Sequence, residues 1–114
     1  MVRVRPDGSN LEIYATGMRN IFDVAIDPFL NVFSRDNTND GDGCNTRLHY
    51  IPAGAFLGYP THYANFASEH FPTMFDYGGG SGVGVLWVQD PAWPEPYRNT
   101  LLTADWTVNQ ILVN

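Results

Sequence analysis

The chain has 114 residues, with 12 Asp and Glu against 6 Arg and no Lys; the net charge of −6 excludes most nucleic-acid binding, which needs a basic face, and disfavours anionic membrane surfaces. Apolar residues make up 44% and aromatics 14%, with 11 Gly and 8 Pro; a disordered chain would lack the aromatics, and a helical bundle would avoid the breakers. The length fits one ordinary domain, yet only 16% of residues are charged, low for a freely exposed surface.

Val2 and Val4 alternate with Arg3 and Arg5, a period-two strand pattern. The turn formers Pro6-Asp7-Gly8-Ser9-Asn10 follow, and a second strand over 11–15 completes a hairpin. A third strand is expected over 22–26, stopped by Asp27-Pro28, and a fourth over 31–35. Residues 36–45 form a loop of Asn, Asp and Gly, and a fifth strand over 47–51 ends at Pro52 and Gly54. Residues 55–80 show no period and read as a covering loop with a short helix near 63–70. Strands are expected again over 84–88, 100–104 and 110–113, with Pro91, Pro94 and Pro96 stiffening the first connection. The fold class is all-β, built of antiparallel meanders. One phrase echoes: residues 22–36 and 84–105 each run strand, Pro-containing turn, strand, Asp, as the repeated blades of a propeller would.

Cys44 is the only cysteine, so no internal disulfide forms and a Cys-ligated zinc site lacks partners. No apolar run approaches the roughly 20 residues of a membrane span. The opening Met1-Val2-Arg3-Val4-Arg5-Pro6 is not a signal peptide. No serine has a nucleophile-elbow context, and the Gly-rich run 78–84 precedes a strand, unlike a phosphate loop.

Several of these residues form an ordered series: Gly17-Met18-Arg19-Asn20, an apolar strand, Asp27-Pro28, Asn31-Val32-Phe33, Asp36-Asn37, a Gly/Asp loop and Gly58-Tyr59-Pro60. The series resembles the glucose/sorbosone dehydrogenase propellers, which bind pyrroloquinoline quinone. Tyr97-Arg98-Asn99-Thr100-Leu101-Leu102 and Asp105-Trp106 are closer to the subgroup holding fungal pyranose dehydrogenases and membrane-bound dehydrogenases of environmental bacteria. The resemblance covers nearly the whole chain. It implies a piece of a six-bladed propeller: residues 1–15 as outer strands of one blade, 22–80 as the next blade with its decorating loop, and 84–114 as the start of a third.

The resemblance assigns cofactor contact to Arg19 and Asn20. A guanidinium pairs two-pronged with carboxylates, and the quinone carries carboxylates; the alternative is an arginine that ties its own turn to backbone carbonyls. Asp36, Asn37, Thr38, Asp40 and Asp42 crowd oxygen donors of the kind calcium takes. An EF-hand is rejected, because Arg47 stands where its twelfth-position Glu belongs. The resemblance makes this loop a calcium site; the alternative is a run of Asx turns. Asp105 and Trp106 would hold and stack a sugar substrate, or else cap the junction between blades. A catalytic His beside the quinone is expected of such an enzyme, but none of His49, His62 and His70 matches the family's, so the catalytic residue is unassigned. The cofactor-binding Lys of the glucose dehydrogenases is also missing, near Thr107.

The expected function is therefore part of a quinone- and calcium-dependent sugar or polyol dehydrogenase, passing electrons to an acceptor such as cytochrome c. The resemblance implies a periplasmic or secreted setting. A non-catalytic propeller that binds carbohydrate or protein is the alternative, and a free-standing β-sandwich a third reading. Blades take about 40–50 residues, so this length implies some two and a half blades, with the remaining blades as partners of two open edges.

Overall fold

The computed structural model describes residues 1–37, 45–62 and 65–114. In chain order its strands are β1 (Val2–Arg3), β2 (Glu12–Ile13), β3 (Ala15–Thr16), β4 (Ala25–Ile26), β5 (Val32–Asn37), β6 (Thr46–Tyr50), β7 (Ala55–Phe56), β8 (Phe75–Asp76), β9 (Gly82–Trp87), β10 (Leu101–Asp105) and β11 (Gln110–Val113). The helical content of the described residues is two 3-10 turns, Ala67–Glu69 and Glu95–Tyr97. No helix among the described residues is long and apolar enough to cross a membrane. The protein is thus mostly β, in small sheets that stay open.

β1 and β2 form the expected antiparallel hairpin, with Val2 opposite Ile13 and Arg3 opposite Glu12. Asp7 holds the turn by accepting from the Ser9 amide at 2.9 Å and its hydroxyl at 2.7 Å. The main sheet runs β4-β5-β6-β8, antiparallel throughout. Its first hairpin turns on Asp27, whose Oδ1 accepts from the amides of Phe29 (2.8 Å) and Asn31 (2.9 Å). Such a side chain stands in for backbone partners at a tight turn. The third sheet is the meander β9-β10-β11. The last pairing, β3 with β7, is parallel, where the sequence reading held only antiparallel meanders.

Most expected strand boundaries shift by one or two residues, and two regions change more. The third strand contracts from 22–26 to Ala25–Ile26. The patternless 55–80 stretch supplies β7 and also β8, the fourth strand of the main sheet. β8 is only two exposed residues long, too short to show a period. Register holds it: Phe75 pairs with Leu48, and the Thr73 hydroxyl donates to the Leu48 carbonyl at 3.1 Å. Of the helix expected near 63–70, one 3-10 turn is present; residues 63 and 64 lie outside the described residues.

The main sheet packs face to face on β9-β10-β11 through Ala25, Leu48, Val85 and Leu101, joined by Phe33, Tyr77 and Trp87. The Phe33 and Trp87 rings stack with centroids 6.0 Å apart. A second cluster, Ala15, Ile51, Ala55 and Leu57, seats the parallel pair. Fully burying a side chain of the Leu or Ile kind contributes about 1.5–3 kcal/mol.

Candidate functional site

The Gly17–Asn20 turn leaves β3 directly, and the parallel pairing carries on into it. Leu57 N–H donates to the Thr16 carbonyl at 2.9 Å, and Tyr59 N–H to the Gly17 carbonyl at 2.8 Å. Gly17 has φ +74°, and a β-carbon there would lie 2.5 Å from the Phe56 ring and 2.8 Å from the Gly58 nitrogen. Both the backbone conformation and the close approach require glycine. Gly58-Tyr59-Pro60, far along the chain, is therefore the buttress of the earlier turn. Asn20 follows at φ +47°, exposed.

Arg19 is half-buried and lies against the end of β5. Asn37 N–H donates to the Arg19 carbonyl at 3.2 Å, and the Arg19 guanidinium approaches the Asn37 carbonyl at 3.5 Å. The Asn37 amide approaches the Gly80 carbonyl and Ser81 hydroxyl, each at 3.5 Å. Three separate stretches of sequence thus meet at one end of the main sheet: the Gly17–Asn20 turn, the end of β5 and the Gly-rich loop. Thr38, Asp40 and Asp42 lie outside the described residues, as does Cys44.

Asp36 turns inward, with its side chain fully buried. Arg47 grips it from the neighbouring strand, Nε to Oδ1 at 3.1 Å and a terminal nitrogen to Oδ2 at 2.8 Å. His49 reaches the same Oδ1 at 3.1 Å. An ionised carboxylate only accepts, so Nε2 of His49 carries the hydrogen. Burial pushes the Asp36 carboxyl up, but the hydrogen bonds and charges of His49 and Arg47 outweigh it and hold it below the usual carboxylate range.

Asp105, at the end of β10, is buried as well. Its Oδ2 receives Arg35 at 3.0 Å, and its carboxylate accepts the Ser81 and Thr107 amides at 3.0 Å. Burial raises this carboxyl, and the Ser81 and Val108 amides with the Arg35 charge lower it further than that, to a net depression. Trp106 next to it is 64% exposed. Of the proposed sugar-binding pair, then, Trp106 offers an open ring, while Asp105 caps backbone amides and the joint between sheets.

The sequence reading passed over Arg35, the partner that joins the two sheets. It donates to Thr46 Oγ1 at 2.9 Å and to the Ala104 carbonyl at 3.2 Å, and its guanidinium sits 4.2 Å from the Tyr77 ring centre. The available signal was the Arg-Asp dipeptide at 35–36 following the apolar Val32-Phe33 in a strand, since charges carried into a sheet interior demand buried partners. Of the histidines, His49 is spent on Asp36, and His62 lies 3.5 Å from Glu69 on the surface. Among the described residues, no group of three or more His, Cys, Asp or Glu is placed to hold a metal ion. No protein-family model, no curated protein and no solved structure matches this chain.

Proposed function

We propose that this chain is a segment of a six-bladed β-propeller of the quinone-dependent sugar dehydrogenase kind, and that the Gly17–Asn20 turn is its cofactor contact. The observation that carries the reading is the meeting of Arg19 with Asn37, two residues that the resemblance assigns to quinone and calcium. Support for blades comes from the four-stranded meander β4-β5-β6-β8, packed on a second meander that repeats its strand order.

The residues fit the two groups unequally. Arg19 suits an anionic quinone: it is half-buried, and a guanidinium pairs two-pronged with carboxylates of the kind the quinone carries. Asp36 does not suit calcium, because both its oxygens are taken and an arginine occupies the cation's place. Any calcium ligands in this loop would be Asn37 or residues beyond it. When bound, the quinone supplies the hydride acceptor for sugar oxidation. Arg19 would orient its carboxylates, and Asn37 would hold Arg19 in place.

Titration of the protein with pyrroloquinoline quinone, with and without calcium, tests this. The reading expects saturation near one to one and tighter binding with calcium. Absence of saturable binding favours a non-catalytic propeller module that binds carbohydrate or protein. The engagement of Asp36 inside the sheet is the observation on that side.

A further inference from the structure

The Gly-rich loop between β8 and β9 is fastened to both packed sheets. At its start, the Gly78 carbonyl accepts from the Thr46 amide of β6 at 2.8 Å. At its end, both carboxylate oxygens of Asp105 receive the Ser81 amide at 3.0 Å, and the Ser81 carbonyl accepts from the Trp106 amide at 3.2 Å. Asp105 is itself held by Arg35 of β5, and Arg35 donates in turn to Thr46. The loop is therefore a strap whose two fixings are linked through one buried ion pair.

Glycine lets the strap lie close to that pair. A β-carbon on Gly80 would collide with Asp105 Oδ2, and one on Gly82 would lie 3.0 Å from both the β-carbon and Nε of Arg35. On Gly78, in the same loop, a β-carbon would meet nothing within 4 Å. The close approach is thus confined to the stretch that lies against the ion pair.

That stretch turns two oxygens, the Gly80 carbonyl and the Ser81 hydroxyl, toward the Asn37 side-chain amide, each at 3.5 Å. Contacts of this length are individually weak, but both converge on one buried side chain. The Asn37 backbone in turn meets Arg19 twice, its amide donating to the Arg19 carbonyl and its carbonyl facing the guanidinium. Taking Arg19 as the quinone contact, the proposal on which this rests, we infer that Ser81 is its positioning residue: through Asn37, the strap holds the guanidinium where a carboxylate would meet it. The strap itself needs no quinone.

Two measurements on the chain test this: exchange of the Asn37 amide, read by NMR without quinone, and affinity for pyrroloquinoline quinone. Circular dichroism and urea midpoints check the fold. Ser81→Ala keeps the amide that Asp105 holds and removes only the hydroxyl. It is expected to leave the midpoint unchanged, and to speed Asn37 exchange and weaken quinone binding by about two- to ten-fold each. Ser81→Thr keeps the hydroxyl and is expected to match wild type. Gly80→Ala pushes the strap off Asp105 and is expected to move both readings further in the same direction. The Ile51 amide, bonded to the Val32 carbonyl at 2.8 Å at the other end of the strand pair, is expected to exchange as in wild type.

Unchanged Asn37 exchange in Ser81→Ala and Gly80→Ala overturns the inference, and so does faster exchange with unchanged affinity. Equal losses in Ser81→Ala and Ser81→Thr, or an Ile51 amide that speeds up as much as Asn37, would show a role in stability alone and overturn it too. A wild type that binds no quinone overturns the assignment of Arg19 instead, while the exchange rates still decide whether the strap holds Asn37.

Discussion

Arg35 on β5 and Asp105 on β10 form an ion pair 3.0 Å long, both side chains 2% exposed, and it ties the main sheet to the one packed on it. Each partner is also held elsewhere, Arg35 by Thr46 and the Tyr77 ring, Asp105 by backbone amides. The joint therefore sets how the two sheets meet, and with it the position of the Gly-rich loop beside Asn37.

Removing one member of a buried pair strands the other, at a cost of about 3–5 kcal/mol. Arg35→Met is expected to lie in that range. Asp105→Ala should cost more, because it also orphans the Ser81 and Thr107 amides. Urea unfolding of the two variants checks the order. Equal, small losses below about 1 kcal/mol would mean that the pair does not hold the joint.

Acid should loosen the fold through the same carboxylates. Asp36, Asp105 and Asp27 all have folded pKa values below the usual one. For Asp27, burial raises the carboxyl, and the hydrogen bonds from Asn31 and Phe29 more than offset it. The unfolded state thus binds protons first as pH falls. The stability these groups contribute is complete above the unfolded value of about 3.9 and is lost as pH drops through the lower folded values. Denaturant midpoints measured from pH 7 downward should be flat near neutrality in this respect and fall below about pH 4. Asp36→Asn, already weaker at neutral pH, should show a shallower fall. A midpoint that rises on acidification would contradict the assignment.

Gly17 and Gly8 have similar positive φ angles, +74° and +82°, but different surroundings. Alanine at Gly8 meets open space and should cost only the backbone penalty of about 1–2 kcal/mol. Alanine at Gly17 adds a clash with the Phe56 ring and the Gly58 backbone. Thermal melts should therefore rank Gly17→Ala well below Gly8→Ala; equal melting temperatures would show that the two turns are not zipped together.

What the sequence revealed follows from length and pattern. Alternation and turn residues marked β1, β2 and the inner strands, and β11 falls on the expected residues, 110–113. The echo between 22–36 and 84–105 became two equivalent hairpins, because a repeated strand–turn–strand–Asp phrase carries its own register. β7 and β8 stayed hidden, since no alternating run or hairpin turn flanks them, as one does β1 and β2, and they are fixed by distant partners. The site was legible as types and not as contacts. Arg19 and Asn37 meet only because β3 pairs with β7 and returns the turn to the end of β5. Asp36 read as a ligand because a carboxylate in an Asx-rich run looks the same whether it faces the loop or the core. Arg47 and His49 on the neighbouring strand decided which.

Affinity for pyrroloquinoline quinone measured across two arginine variants tests most directly the proposal that Arg19 contacts an anionic quinone. Arg98, exposed and bonded to the Trp93 carbonyl on the far connection, serves as the comparison. A charge-assisted, two-pronged contact contributes about 1.5–3 kcal/mol, roughly ten-fold or more in affinity. That loss is expected for Arg19→Ala and an unchanged value for Arg98→Ala. Equal affinity in wild type and both variants, or a larger loss at Arg98, would contradict it.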